Sequence, residues 1–460
     1  MSGEVTQAIA AFAAEASFDD LPQAGIDRGR IHILDSLGLA LAGAGSDAAR
    51  ILRDHYTGLG IAGGGASVFG TGMALPARFA ACANGTAIHA DNFDDTTPQI
   101  RSDRTGGIHA SGAVLPAVLA LAETEGASGR DVFSAYHVGV EVSSRLNHTM
   151  GPRHYGDGFH TTGTLNIFGA AAAAGRLLGL DREGHVRAIA IAASQASGVR
   201  RNFGTMAEIL HSGHAAECGI AAADLARRGM TAAPDALDGP VGYFAAAGGG
   251  FDAGEIVGRL GAPWVFEGPG VWIKPHPNGA LTHPGAACLL GLLRDNDVSA
   301  EDIRAIRVRT NDRVLNTLIH HDPADAMQGK FSMEFTLALI AVEGRAGLGD
   351  FTDEALGRAD VRAMMGRIEY GAYDDAGPDY TNVTTLVDIE LADGRVLSGR
   401  ADYAHGSTRS PMGFDDIVEK FRQCADFGGH PDVQSGRIVD LVGRLETLGD
   451  ISELVDALRR

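Results

Sequence analysis

The stretch Thr164–Leu178, with the sequence TLNIFGAAAAAGRLL, decides the fold class of this chain. Alanine and leucine are strong helix formers, so the stretch predicts a helix. Its alanine run lies between Gly169 and Gly175, and side chains this small let two helix backbones approach closely. We therefore expect a helix that is buried among other helices.

Neighbouring windows have the same character. Apolar residues recur at helical spacing from Ile31 to Leu41, and His185–Gln195 and His211–Arg227 also predict buried helices. A glycine-rich loop follows at Ala245–Phe251, and a boundary is expected near Pro263. Residues 1–268 are therefore expected to form the first part of a helical domain.

The pattern changes after Trp272. Ile306 and Val308 alternate with arginines, and residues 387–391 alternate apolar with acidic side chains, which is typical of half-buried strands. A turn leads from there into a further strand, Val396–Tyr403, so a hairpin is expected, with the opposite charges pairing across the sheet. With a helix over Ser332–Val342, residues 269–404 are expected to form an α+β domain.

The C-terminal residues 405–460 are helical again, with one helix expected over Asp415–Cys424 and another over Ile438–Leu448. A helical tail after an α+β segment suggests that the tail returns to the first domain. The predicted fold is mainly α, with a large all-helical domain built from both chain ends and a smaller α+β domain that acts as a lid.

The composition excludes several classes of protein. A formal net charge of −20 disfavours nucleic acid and anionic membranes as partners. No apolar run approaches the length of a membrane span, and the N-terminus does not have the pattern of a signal peptide. The four cysteines are far apart and form no Cys-x-x-Cys pair, which favours reduced thiols. A cytoplasmic protein is expected.

Polar residues concentrate in three segments. His89–Thr96, with the sequence HADNFDDT, holds an imidazole, three carboxylates, an amide and a hydroxyl. Such density is costly to bury unless something binds there. Gly158–Thr164 and Lys274–His283 are similarly polar, and we interpret the three segments as parts of one pocket.

The first segment also permits other interpretations. Its aspartates with His89 suit Mg²⁺ or Ca²⁺, but the spacing of a calcium loop and the His-Glu-x-x-His pattern are absent. A helix-terminal loop with aspartate caps is a second alternative. We favour substrate binding and expect no metal site.

Two histidines precede predicted helices. His109 lies directly before the helical run Ala113–Glu123, and a helix N-terminus suits an anion and favours a neutral imidazole. Neutral imidazole is the form that a general base needs, although a surface capping histidine is the alternative interpretation. His160 precedes the helix that starts near Thr164. Lys274, in a rigid proline-rich segment, can bind or protonate an anion.

Common cofactor and nucleophile motifs are absent from the sequence. It contains no Gly-x-Gly-x-x-Gly after a strand, no phosphate-binding Gly-x-x-x-x-Gly-Lys-Ser/Thr and no Gly-x-Ser-x-Gly. The remaining histidine, lysine, aspartate and threonine groups suit abstraction of a proton beside a carboxylate, with cationic and amide donors stabilising an enolate-like intermediate.

The chain resembles the MmgE/PrpD family, which includes 2-methylcitrate dehydratase, cis-aconitate decarboxylase and iminodisuccinate epimerase. The resemblance implies a large helical domain from both chain ends, a smaller α+β domain, a homodimer, no cofactor and an active site between the domains. It rests on ordered matches at Arg30–Gly38, His89–Thr96, Ile108–Pro116, Gly158–Asp181, Asn202–Met206, Leu210–Gly213, Lys274–Pro284, Lys330–Ser332 and Asp393–Arg395.

The resemblance carries catalytic roles over to Asn92, Thr96, His109 and Lys274. The usual family motif has an aspartate where Asn92 stands, and an amide cannot take up a proton as a carboxylate does. Asp91 is adjacent but is expected to point elsewhere.

Two further positions depart from the family pattern. Glu208 stands where many members have a lysine, which reverses a charge available to a substrate carboxylate. Gly279 stands where dehydratases often carry cysteine and the decarboxylase carries histidine. Compensating cations are expected among Arg101, Arg104, Arg200 and Arg201.

These observations predict a cofactor-free enzyme that abstracts a proton next to a carboxylate of a small di- or tricarboxylic acid, as a 2-methylcitrate dehydratase-like lyase. The alternatives are an epimerase of the iminodisuccinate type, a cis-aconitate-type decarboxylase, or a carboxylate-binding member without catalysis. We expect His109 as base, Lys274 as acid or carboxylate clamp and His160 as second base. Substrate contacts are expected from Asn92, Asp95, Thr96, Arg104, Glu208, His211, Gly279 and His283.

Overall fold

A computed structural model describes residues 3–97 and 106–459 of the chain. The structure is 56% helical over the residues that it describes, which confirms a mainly α protein with an α+β part. The chain divides into two compact units; the first comprises Met1–Ala90, Asp94–Trp272 and Gly413–Arg460, and the second Asp91–Phe93 and Ile273–Met412. The longer segment of the second unit, Ile273–Met412, begins and ends a few residues later than the α+β domain expected over residues 269–404.

Up to Trp272, the first unit is built from helices and a two-stranded antiparallel sheet. The predicted buried helices are present with slightly different ends. The elements in chain order are α1 (Glu4–Glu15), α2 (Gln23–Gly43), α3 (Asp47–Gly58), β1 (Ala66–Ser67), β2 (Ala74–Leu75), α4 (Ala77–His89), α5 (Ser111–Glu125), α6 (Gly129–Thr149), α7 (Arg153–Gly156), α8 (Thr161–Leu177), α9 (Arg182–Ala193), α10 (Met206–Arg227) and α11 (Tyr243–Ala246).

The small residues of α8 have the packing role that the sequence predicts. Thr161–Gly175 is buried throughout. A side chain on Gly169 would overlap the carbonyl oxygen of Gly139 on α6, and one on Gly219 of α10 would meet the Cβ of Ala170. The close contact of α8 with α6 and α10 therefore depends on residues without bulk.

The second unit contains a four-stranded sheet and helices. The strand order is β4-β3-β5-β6, with β3 parallel to β4 and antiparallel to β5, and the predicted hairpin joins β5 to β6. The elements are α12 (His283–Asn296), β3 (Ile303–Thr310), α13 (Asp312–Leu315), α14 (Ala326–Gly329), α15 (Met333–Glu343), α16 (Asp353–Gly357), α17 (Ala359–Met365), β4 (Ile368–Ala372), β5 (Thr385–Leu391) and β6 (Val396–Ala401).

The alternation in β3 and β5 separates a core face from a solvent face. Val387 and Ile389 are fully buried in a core that includes α12 and α15. The predicted charge pairing across the sheet is confirmed, with Arg307 2.9 Å and Arg304 3.0 Å from carboxylate oxygens of Glu390. Because these pairs are solvent-exposed on the arginine side, they contribute little to stability.

Three helices after the second unit belong to the first, as the expected C-terminal return requires. They are α18 (Phe414–Phe427), α19 (Asp432–Gly443) and α20 (Ser452–Ala457). Lys420 of α18 forms a buried ion pair with Asp35 of α2, with Nζ 2.7 Å from Oδ1. The single helix expected over Ile438–Leu448 was wrong, because α19 ends at Gly443 and a short 3-10 turn covers Leu445–Thr447. The C-cap residue Arg444 has φ −127°, outside the helical region, so the backbone leaves the helix there.

Within residues 3–97 and 106–459, no helix combines the length and the apolar character that crossing a bilayer requires.

Two buried histidines of the first unit are expected to make the protein acid-sensitive. Burial lowers the pKa of His148, next to Arg145, and of His154 to about 4. The folded state therefore disfavours their charged forms, so their stabilising contribution is complete above the ordinary histidine pKa of 6.5 and is lost as the pH falls toward 4. We expect a loss of up to roughly 3 kcal/mol per histidine.

The measurement is the free energy of urea unfolding across this pH range. His148→Gln and His154→Gln should each flatten the decline, and the exposed His405→Gln should leave it unchanged. An identical pH slope in all four proteins would contradict the assignment.

Candidate functional site

His89, the last residue of α4, lies at the centre of a polar cluster in the first unit. Its Nδ1 is 2.8 Å from Asp94 Oδ2, and its Nε2 is 3.2 Å from Glu208 Oε1 at the start of α10. Burial alone would lower the pKa of His89, but the charges and hydrogen bonds of Asp94 and Glu208 outweigh burial and raise this pKa to about 10. The ring is therefore an imidazolium that bridges two carboxylates.

His109 lies beside this ring, with the two ring centroids 5.2 Å apart. The chain enters α5 two residues later, as predicted. Nδ1 of His109 is 2.6 Å from the carbonyl oxygen of Asp95. Because a carbonyl only accepts hydrogen bonds, Nδ1 carries the proton, and in the neutral ring the lone pair is on Nε2.

The carboxylate of Asp95 connects several residues of this region through hydrogen bonds. It accepts hydrogen bonds from the backbone N–H of Ser111 at 3.2 Å, from the Ser111 hydroxyl and from Nδ1 of His32 at 3.0 Å. Since the Ser111 hydroxyl donates to Asp95, the Tyr136 hydroxyl donates to Ser111 at 2.5 Å. Asp95 is 1% exposed, and these contacts fix the carbonyl that orients His109.

His160 and His211 form a second pair of rings in the same unit. His160 is the N-cap residue of α8, and its Nδ1 is 2.8 Å from Nδ1 of His211 on α10. Burial, and then the neighbouring His89, lower the pKa of His160 well below its ordinary value. Burial also lowers the pKa of His211 to about 4. One ring donates and the other accepts, and both are neutral near pH 7.

Thr96 follows Asp95 in the chain and also belongs to the first unit. Its backbone exchanges two 2.8 Å hydrogen bonds with Trp272, in an isolated antiparallel bridge. This bridge fixes the backbone of Thr96 against Trp272, which also belongs to the first unit.

In the second unit, Lys274 is paired with Asn92. Lys274 is 1% exposed, and its Nζ donates to the backbone oxygen of Asn92 at 2.8 Å and to its side-chain Oδ1. Asn92 has φ +53°, a left-handed conformation that asparagine tolerates better than most residues. Asp91 points elsewhere, as expected, because its Oδ1 lies 3.0 Å from Nζ of Lys330.

His283 and Gly279 also lie in the second unit. Nε2 of His283 donates to Asn278 Oδ1 at 2.7 Å, and the Asn278 amide donates to Thr336 at 2.8 Å. The backbone N–H of Gly279 donates to the carbonyl of Lys330 at 2.8 Å. The proline-rich segment is therefore held by specific hydrogen bonds.

Replacing Gly279 with alanine is expected to be neutral or to stabilise the protein by about 0.4–1 kcal/mol. Gly279 has φ −59°, and an added Cβ would contact its nearest neighbours at 3.4–3.5 Å, an ordinary packing distance. Gly406→Ala is the matched control in the same unit, because its φ is +88° and its Cβ would overlap the Ile273 carbonyl. Urea unfolding should show destabilisation for Gly406→Ala alone. Comparable losses in the two variants would contradict this prediction.

The structure brings Asp95, Thr96, His109, His160, Glu208 and His211 into the first unit and Asn92, Lys274, Gly279 and His283 into the second. Arg101 and Arg104 lie outside the described residues. Arg200 already has a partner in Tyr155. It donates to the Tyr155 carbonyl, and its guanidinium carbon lies 3.7 Å from the centroid of the Tyr155 ring.

Sequence reasoning missed several residues that organise the cluster. His89 and Asp94 belong to the quoted motif but are considered there only as metal ligands, and His32, Ser111 and Tyr136 are not singled out. The density of the motif was a signal for His89 and Asp94. The sequence offers no comparable signal for Tyr136, which lies within the buried helix α6.

Comparison with known proteins places these residues in a wider context. The chain matches the MmgE/PrpD N-terminal domain over residues 7–256 and the MmgE/PrpD C-terminal domain over residues 276–444. Cis-aconitate decarboxylase from Homo sapiens is 29% identical over 94% of this chain and 90% of its own length. The enzymes of that name from Mus musculus and Aspergillus terreus are 28% and 27% identical over 100% and 99% of this chain and 94% and 96% of their own lengths. The chain belongs to the MmgE/PrpD family.

Proposed function

We propose that this protein is an enzyme that abstracts a proton from the carbon next to a carboxylate of a small di- or tricarboxylic acid. The observation that carries the proposal is the hydrogen bond from His109 Nδ1 to the Asp95 carbonyl. In the neutral form of the ring, this hydrogen bond leaves Nε2 as the basic atom that general-base catalysis requires. Family membership and the similarity to cis-aconitate decarboxylases support a carboxylic acid as substrate.

In the reaction we favour, His109 removes the α-proton, and the electron pair of the broken C–H bond moves toward the carboxylate to form an enolate-like intermediate. The electron pair then forms a carbon–carbon double bond as the C–O bond to the β-hydroxyl breaks, and Lys274 protonates the departing hydroxide so that water leaves. If Lys274 instead clamps the carboxylate and stabilises its negative charge, the protonated His109 supplies that proton. The product is unsaturated, and the activity is a 2-methylcitrate dehydratase-like lyase. Thr96 and Asn92 supply substrate hydrogen bonds, while Asp95 holds His109 in position. None of these steps requires a cofactor.

An epimerase is the second candidate, and the His160–His211 pair favours it. Inversion at a carbon requires one base to remove a proton and another acid to return it on the opposite face. His160 is a second ring in the same cluster, within the row of rings that runs from His109 through His89 to His160. Cis-aconitate-type decarboxylation remains a further alternative. A cytoplasmic homodimer remains the expected state.

The test is incubation with a panel of acids in D₂O, including 2-methylcitrate, cis-aconitate and iminodisuccinate. Loss of water with deuterium uptake supports the lyase, inversion with uptake supports the epimerase, and CO₂ release supports the decarboxylase. No reaction with any acid would contradict the proposal.

The substitutions at Asn92 and Glu208 motivate a carboxylate-binding protein without catalysis as the last alternative. In that case Asn92→Asp combined with Glu208→Lys should create turnover where the parent has none. Turnover by the parent protein itself would exclude this alternative.

A further inference from the structure

Three buried side chains of the first unit are placed as the ligands of one metal ion. One ligand atom from each of His89, His160 and Glu208 lies within 4.8 Å of the others. His89 ends α4, His160 caps α8 and Glu208 belongs to the first turn of α10, so three helix ends meet at this point. The three residues are at most 5% exposed. The sequence did not predict this set, because no short spacing connects its members.

The outer nitrogens of the two histidines already have partners. His89 Nδ1 is 2.8 Å from Asp94 Oδ2, and His160 Nδ1 is 2.8 Å from His211 Nδ1. Histidines that bind metals almost always donate their second ring N–H to such a partner, which fixes the tautomer and the ring orientation. When His160 Nδ1 is the donor to His211, Nε2 of each ring is available for a metal, and His89 Nε2 lies 3.2 Å from Glu208 Oε1.

We propose that His89, His160 and Glu208 bind a divalent first-row transition-metal ion such as Zn²⁺ or Co²⁺. Two imidazoles and one carboxylate with a remaining open position form a ligand set that these ions accept.

Glu208 is the anionic ligand of this site. A lysine here would place an ammonium group that repels the metal instead of binding it. The carboxylate supplies both a ligand oxygen and a negative charge.

The test is titration of chelator-treated protein with Co²⁺, followed by visible absorption and by calorimetry. We expect one Co²⁺ per chain, with displacement by Zn²⁺. Glu208→Lys and the nearly isosteric Glu208→Gln should remove this binding, and Asp94→Asn should weaken it roughly 10- to 100-fold, as removal of an outer partner does. Far-UV circular dichroism and urea unfolding check that each variant is folded.

His214→Gln is the matched control. His214 lies on the same helix, α10, and its Nε2 is 3.5 Å from Cys218 Sγ, so this pair is the competing site for an added metal. Binding that persists in His214→Gln and disappears in Glu208→Gln supports the proposal. Binding that disappears in His214→Gln, that persists in both Glu208 variants, or that is absent from the parent protein overturns it.

Separate measurements test the metal site and the proposed function, so either proposal can be wrong while the other is right. Proton exchange in metal-free protein tests the function without reference to the metal, and Co²⁺ binding requires no substrate. His160 cannot ligate a metal and transfer a proton through the same nitrogen, so bound Co²⁺ is expected to suppress any epimerisation that uses His160.

Discussion

His109→Asn is expected to lower the rate of substrate deuterium exchange by roughly 10²- to 10⁴-fold, the usual contribution of a positioned general base. The asparagine amide can still donate a hydrogen bond to the Asp95 carbonyl, as Nδ1 of His109 does at 2.6 Å. It has no nitrogen that can accept the substrate proton. The substitution therefore removes the base and keeps the donor.

The measurement is the rate of deuterium uptake in D₂O, at saturating and at low concentrations of the acid that the panel identifies. A fall in kcat with little change in KM is expected, since the lost interaction belongs to the transition state. His405→Asn, at an exposed histidine, is the control and should retain the parent rate. An unchanged rate in folded His109→Asn would remove His109 from the mechanism.

Lys420→Met is expected to destabilise the protein by about 3–5 kcal/mol, the usual cost of breaking a buried ion pair from one side. Asp35 is 1% exposed and lies 2.7 Å from Nζ of Lys420, so the substitution leaves a buried carboxylate without this cation. Burial raises the pKa of Asp35, and Lys420 opposes that shift. Without Lys420 the pKa rises further, and the carboxylate is more readily protonated.

The double variant Asp35→Asn with Lys420→Met is the matched comparison, because it removes both charges. Urea unfolding at neutral pH should show that the double variant recovers most of the lost stability. The cost of ionised Asp35 is absent below its ordinary pKa and grows as the pH rises through the raised folded-state pKa. The deficit of Lys420→Met should therefore shrink in acid. A deficit that is the same in both variants would show that lost packing, not charge, dominates.

Periodicity was sufficient to predict most elements of the fold. The apolar repeat of α2, the alanine run of α8 and the alternation in β5 each involve residues close in sequence, so propensity and solvent exposure set them locally. The end of α19 was missed because apolar residues continue at helical spacing beyond Gly443 while the backbone does not. Pattern alone does not report such a break.

The sequence predicted which chemical groups the site contains but not the contacts between them. The sequence indicated which segments carry polar groups and that His109 and His160 precede helices, as the structure confirms. It did not show that His89 contacts Glu208, 119 residues away, or that Asp95 turns its carboxylate to His32 and its carbonyl to His109.

By itself, the sequence determined the helical and α+β composition, the order of the two units and the supply of imidazole, carboxylate and ammonium groups. These properties depend on neighbouring residues and on composition. Only the tertiary structure decided which ring nitrogen of His109 holds a proton, which carboxylates flank His89 and which amide holds Lys274. Each depends on a hydrogen bond between segments that only packing brings within about 3 Å of each other.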